Sequence, residues 1–203
     1  MRVGIYSGAF DPVHDGHTTF ALEAALAASL DKVFFLVEPR PRYKQGVKAH
    51  EHRVAMVQLA IKEYPGLSSI IVDQPEFSVL ETWPVLQRRF KGAELSMLMG
   101  EDIFARLAKW PRVDSLITSA EFIVGLRTSP GAEATEHLKM IAQTRALQLN
   151  YQVFQPSAPK FNSTDIRSSL RQGKIPAGLN RAVAAYISAN QLYSSEYANP
   201  GGL

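Results

Sequence analysis

The stretch Ser7-Gly8-Ala9-Phe10-Asp11-Pro12-Val13-His14-Asp15-Gly16-His17 constrains this chain more than any other. A short apolar run, Val3 to Tyr6, precedes it, and a helical pattern begins near Gly16. Two imidazoles therefore stand at the point where a strand hands over to a helix. In an open α/β sheet, that junction is where ligands bind. A helix N-terminus there offers unpaired backbone N–H groups and a positive dipole end, both suited to phosphate. Gly8 permits a sharp turn and close approach. Pro12 stiffens the loop, and Gly16 leaves no side chain between the two rings. His14 and His17 titrate near neutrality when unperturbed, and each can donate to a phosphate oxygen. Singly each reads as an ordinary surface histidine; together they read as an anion site.

The rest of the pattern alternates strand and helix. Thr18–Leu30 reads as a helix, and Lys32–Val37 as a strand buried on both faces of a parallel sheet. With Val3–Tyr6 these predict a right-handed βαβ unit. Further strands are predicted at Ser69–Val72, Glu94–Met99, Glu121–Leu126 and Gln152–Gln155. Helices are predicted from His52 to Tyr64, from an N-cap at Thr82 with Pro84 in its first turn, and over Glu133–Gln148. Two more are predicted at Ser163–Gln172, capped by Ser163 or Thr164, and at Arg181–Leu192, with Val183, Ala184, Ile187 and Leu192 inward. The expected architecture is a doubly wound, mostly parallel, Rossmann-like α/β sheet. Residues 1–193 form one domain with a helical C-terminal part, and 194–203 form a flexible tail. Only Gly4 and Gly8 fall near the first turn, so the G-x-G-x-x-G dinucleotide fingerprint is absent, which weighs against a dehydrogenase.

Charge distribution narrows the ligand. The net charge is +3, yet Arg40 to Arg53 holds five Lys/Arg and one acid, Glu51, leaving a slightly negative remainder. A local patch suits a small anion; nucleic acid would favour an extended stripe with interleaved aromatics. Arg42, Lys44 and Lys48 are candidates for holding phosphate, or else a solvated charged loop. The chain has no cysteine, which removes disulfides and thiolate metal sites and fits a reducing cytoplasm. It shows neither a signal-peptide pattern nor an apolar run of membrane-spanning length, so a cytoplasmic location is expected. Gly100-Glu101-Asp102 closes the predicted fourth strand. Asp102 is placed either to accept from ribose hydroxyls or to cap a helix, and Trp110 either to stack on a flat ring or to fill the core.

Gly8 to His17 resembles the G-T/S-F-D-P-x-H-x-G-H signature of the HxGH nucleotidyltransferase superfamily. Asn162-Ser163-Thr164-Asp165-Ile166-Arg167 resembles the I-S-S-T-x-I-R motif of bacterial nicotinate-nucleotide adenylyltransferases. Gly100, Asp102, Leu107 and Trp110 resemble that family's G-x-D-x-x-x-x-L-x-x-W segment. Order and separation match, so the resemblance spans nearly the whole chain. It implies transfer of an adenylyl group from ATP to nicotinate mononucleotide, giving deamido-NAD and pyrophosphate, with Mg²⁺ riding on the ATP phosphates. It assigns His14, His17 and Arg167 to catalysis. Gly8, Ala9, Phe10, Lys44, Gly100, Asp102, Ser163 and Thr164 would hold ATP or phosphate, and Val79, Thr82 and Trp110 the acceptor. Arg53 falls where the family has an arginine shortly after its Pro-Pro-His-Lys segment, here Pro41-Arg42-Tyr43-Lys44; a structural ion pair explains it equally well. Ala9 replaces the family's Thr/Ser, Val79 its first Thr in Y-T-x-D-T-L, and Phe161-Asn162 its Ile-Ser. Two other readings stay open: a related nucleotidyltransferase using nicotinamide mononucleotide or another phosphate monoester, and a non-catalytic nucleotide-binding regulator. No nucleic-acid or membrane partner is expected, and homo-oligomerisation is open.

Overall fold

A computed structural model describes residues 1–42, 44–126, 149–157 and 161–194. Its centre is a sheet of six strands, all parallel among the described residues: β1 Arg2–Gly8, β2 Lys32–Val37, β3 Leu67–Ile70, β4 Glu94–Gly100, β5 Glu121–Gly125 and β6 Tyr151–Phe154. The order β3-β2-β1-β4-β5-β6 reverses direction between β1 and β4. That reversal opens a crevice at the carboxyl ends of both strands. The register pairs Tyr6 with Leu98, so Gly8 and Gly100 end side by side there.

Helices cover both faces. They are α1 Asp15–Ala27, α2 His50–Ile61, α3 Thr82–Arg89, α4 Glu101–Phe104, α5 Val113–Ile117, α6 Ser163–Arg171 and α7 Arg181–Ala189, with a 3-10 turn at Leu107–Lys109. One core unites Val3, Ile5, Leu36 and Met97 with Trp83 and Leu86 of α3 and Leu116 of α5. The other unites Val33, Phe35 and Val37 with Ala21 and Ala24 of α1, Met56 and Val57 of α2, Ile166 of α6 and Val183 and Ile187 of α7. The apolar run of β2 thus feeds alternate residues into opposite cores, as the two-residue period of a strand requires. Trp83 is buried without an orphan donor, because its indole N–H reaches the Ser119 hydroxyl at 2.8 Å.

Several boundaries differ from expectation. Helix α1 starts at Asp15 rather than Thr18, with His14 as its N-cap. Strand β3 is Leu67–Ile70 rather than Ser69–Val72, because Leu67 and Ile70 face inward while Ile71 is exposed. Helix α2 begins two residues earlier than predicted and stops before Pro65, which disfavours helix in the residue preceding it. Thr82 is the first helical residue of α3, not its N-cap; Glu81 holds that position. The cap of α6 is neither Ser163 nor Thr164 but Asn162, whose side chain accepts from the Asp165 N–H at 2.9 Å. Helix α7 ends at Ala189 rather than Leu192, and Gln191 and Tyr193 follow with left-handed φ of 51° and 61°. The predicted helix over Glu133–Gln148 and residues 195–203 of the predicted tail lie outside the described residues.

Candidate active site

The strand-to-helix loop is built around two aromatic contacts. Phe10 takes a left-handed φ of 48°, uncommon for an aromatic residue. Its ring folds back over Gly8, where a Cβ would lie 3.2 Å from Phe10 Cζ. The buried Phe10 ring also meets the His17 ring edge-on at 5.1 Å. A side chain at Gly8 would thus press on the Phe10 ring. A Cβ at Gly16 would likewise stand close to the His14 ring, 3.0 Å from Nδ1.

The two imidazoles lie face against face, with ring centroids 3.7 Å apart and planes tilted by 31°. The His14 backbone N–H donates to His17 Nδ1 at 3.3 Å. A nitrogen that accepts carries no proton, so neutral His17 holds its hydrogen on Nε2, which is then its donor. His14 is 5% exposed, and its Nδ1 is buried without a hydrogen-bond partner. Burial lowers the His14 pKa to about 4. It pulls His17 well below its ordinary value too, with His14 and Lys44 adding to the effect. Both rings are therefore neutral in the free protein at pH 7.

Helix α6 closes on this loop from the other end of the sequence. Ser163 Oγ donates to the Pro12 carbonyl at 3.1 Å. Arg167 Nη1 donates to the Asp11 carbonyl at 2.7 Å, and Nη2 to the Thr164 hydroxyl at 3.2 Å. Arg167 thus commits one N–H group to the loop and a second to its own helix. Phe161, at the foot of α6, is 6.4 Å from the His14 ring, and its own ring fills the place a Cβ of Gly178 would take, 2.6 Å away. The Gly178 carbonyl in turn accepts the Asp15 N–H at 2.8 Å.

The basic loop is held at its base by Arg53, which is fully buried. Its guanidinium donates to the carbonyls of Lys48, Ala9, Glu38 and Pro39, each at 2.8 Å. These four hydrogen bonds go to backbone carbonyls rather than to a carboxylate, so Arg53 braces the loop instead of forming a simple ion pair. Lys44 is exposed and close enough to act on the His17 charge. Arg42 pairs with Glu76, which ties the loop to the segment before α3.

The acceptor candidates are arranged differently. Val79 is buried in the core at 6% exposure. Thr82 is fully buried, and its hydroxyl donates to the Glu76 carbonyl at 3.1 Å while accepting the Ser78 N–H at 3.0 Å. Neither side chain is open to a ligand in this arrangement. Trp110 is half-buried against Phe77, ring centroids 5.7 Å apart. Asp102 lies in the first turn of α4, its Oδ1 2.8 Å from where a Cβ of Gly100 would stand. Three residues at the site went unassigned from sequence. Asp11 lay inside the motif and Glu38 at a strand end, both local signals; Tyr193 carried none. The Ser7 hydroxyl donates to Glu38 Oε1 at 2.7 Å, and burial lifts the Glu38 carboxyl above the usual range against that bond.

Among the described residues, no group of three or more His, Cys, Asp or Glu side chains is placed to hold a metal ion. No described helix is long and apolar enough to cross a membrane.

A parallel sheet in this order, with paired imidazoles at the switch point and a basic loop beside them, defines an α/β nucleotidyltransferase. The cytidylyltransferase-like family model matches residues 5–169. A Desulfatibacillum aliphaticivorans protein named probable nicotinate-nucleotide adenylyltransferase is 34% identical, over 95% of this chain and 100% of its own. The nicotinate-nucleotide adenylyltransferase of Bacillus subtilis is 29% identical, over 96% and 99%. The fold matches that of the Plasmodium falciparum nicotinic acid mononucleotide adenylyltransferase complexed with NaAD, at a TM-score of 0.75 and 13% identity, covering 95% and 97% of the two chains. The chain belongs to the cytidylyltransferase-like family and, within it, to the nicotinate-nucleotide adenylyltransferases.

Proposed function

We propose that this enzyme joins ATP and nicotinate mononucleotide to give deamido-NAD and pyrophosphate. The observation that carries the reading is the His14–His17 pair at the N-terminus of α1, where the sheet order reverses, with His17 holding its proton on Nε2 as a donor.

The chemistry is an in-line displacement. A phosphate oxygen of the mononucleotide attacks the α-phosphorus of ATP; the new P–O bond forms as the bond to the β-phosphate oxygen breaks, and pyrophosphate leaves. No covalent enzyme intermediate is required. The protein contributes position and charge. Neutral His14 and His17 donate N–H hydrogen bonds to phosphate oxygens, and these bonds strengthen as negative charge builds there. Lys44 and Arg167 bring permanent charge to the same region. ATP would be used as its magnesium complex, the ion supplying charge neutralisation at the triphosphate. Holding both anions in line supplies roughly 7–11 kcal/mol, and each well-aimed donor roughly 3–4 kcal/mol.

The acceptor is the finer question, because Val79 and Thr82 turn inward. Recognition of the pyridine ring then falls to backbone groups and to neighbours of Trp110 rather than to a threonine hydroxyl. Pyrophosphate release with Mg-ATP tests this against nicotinate mononucleotide, nicotinamide mononucleotide and a panel of phosphate monoesters. Preference for nicotinate mononucleotide is the expected result. Release with another acceptor alone keeps the chemistry and replaces the substrate. ATP binding without release from any acceptor favours a regulatory, non-catalytic domain.

A further inference from the structure

Asp11 sits within the loop that carries both histidines, yet the reaction above gives its side chain no task. It is 4% exposed. A carboxylate withdrawn from water needs donors. Two reach its Oδ1: the Lys48 N–H at 3.2 Å and the Tyr193 hydroxyl. The first donor fastens the end of the basic loop. The second comes from 182 residues away, beyond the end of α7.

Tyr193 is held with some effort. It is 4% exposed, and its φ of 61° lies in the left-handed region that non-glycine residues seldom occupy. Such a conformation persists only where surrounding contacts over-determine it. Here the ring lies under Lys48 Nζ, 5.5 Å from its centroid, and the hydroxyl is bonded to Asp11. The Asp11 backbone is fixed at the same time, since its carbonyl accepts Arg167. Asp11 therefore joins three distant pieces of chain: the basic loop, α6 and the segment after α7. A phenyl ring in place of Tyr193 fills the same space and leaves the carboxylate one donor short.

We propose that Tyr193 is a positioning residue for adenylyl transfer. Its hydroxyl sets the Asp11 carboxylate, and Asp11 holds the loop from Phe10 to His14 and the Lys48 end of the basic loop where His14, His17 and Lys44 meet the triphosphate. The inference rests on the adenylyl-transfer reading. Misplacing reacting groups by about 1 Å costs roughly 100-fold in rate.

The test is Tyr193→Phe in the full chain, read by steady-state kinetics and by imidazole ¹⁵N signals of the free protein. The expected result is a fall in kcat of about 10- to 100-fold, with KM for ATP changing less than about 3-fold, because the ground-state contacts survive while their alignment does not. The His14 and His17 ring signals shift as well. Asp11→Asn supplies the second variant. If Tyr193 acts through Asp11, the double variant is no slower than the slower single one. Wild-type kcat in Tyr193→Phe with unmoved histidine signals overturns the proposal. So does a loss of activity that vanishes on cooling, since that is a stability effect, or a double variant whose losses multiply. Should the wild-type chain transfer no adenylyl group, the functional reading falls on that result alone, and the histidine signals still decide whether Tyr193 positions the loop.

Discussion

His14 is a base that the fold keeps uncharged. Its unfolded pKa is near 6.5 and its folded value about 4, so the unfolded chain binds more protons in between. Stability contributed by this residue is therefore complete above about pH 6.5 and drains away as pH falls toward 4, by roughly 3 kcal/mol in all. Melting temperature of the ligand-free enzyme is expected to drop over that window, and His14→Gln to flatten the drop; a wild-type slope in the variant refutes the assignment. A bound triphosphate opposes the shift, so saturating ATP is expected to reduce the same slope. His17 is read more directly. With its Nε2–H as a transition-state donor, His17→Ala is expected to lower turnover by at least ~100-fold in pyrophosphate release, and near wild-type turnover removes it from the mechanism.

At the scale of elements, two helices hold loops through side chains that end on backbone carbonyls. Arg53 of α2 satisfies four carbonyls from three segments with one rigid cation. Methionine matches its stem but leaves those acceptors buried and unpaired, each costing on the order of 1–3 kcal/mol. Arg53→Met is therefore expected to lose at least ~3 kcal/mol in urea unfolding, and a loss under ~1 kcal/mol contradicts this bracing role. Helix α6 depends on its cap. Asn162→Ala removes the acceptor for the Asp165 N–H and is expected to destabilise by ~1 kcal/mol, seen as a lower thermal midpoint.

Across the whole molecule, the core on one face of the sheet contains residues from β2, α1, α2, α6 and α7 together. The N-terminal loop and the C-terminal helices share that core and are cross-bonded through Asp11, Pro12 and Arg167. The described part of the chain is thereby expected to unfold as one unit. Tryptophan fluorescence, which reports Trp83 and Trp110 on the opposite face, should give the same urea midpoint as far-UV circular dichroism. Separate midpoints show that the two layers unfold independently.

Much of this was legible in the amino-acid order because its cause is local. The run Lys32–Val37 is a strand over those same residues, since every side chain in it can be buried on a two-sided parallel sheet. The starts of α3 and α6 were placed to within a residue: Thr82 and Ser163, read as caps, are the first helical residues, and Glu81 and Asn162 are the caps. The loop from Gly8 to His17 brings its two imidazoles together, as residue types and spacing led one to expect. What sequence reasoning could not reach depends on pairs far apart in the chain. Arg53 reads as a ligand or an ion-pair former until the fold brings four carbonyls around it. Ser163 and Arg167 read as phosphate ligands, and the fold turns them first onto Pro12 and Asp11, 151 and 156 residues away. Tyr193 has no local pattern to mark it. The amino-acid sequence by itself determined the layered α/β frame and the histidine pair, because periodicity and loop chemistry act within a few residues. The tertiary structure alone decided which carbonyls and carboxylate fix that pair in place, because hydrogen bonding in a dry interior is settled by which distant donors arrive there.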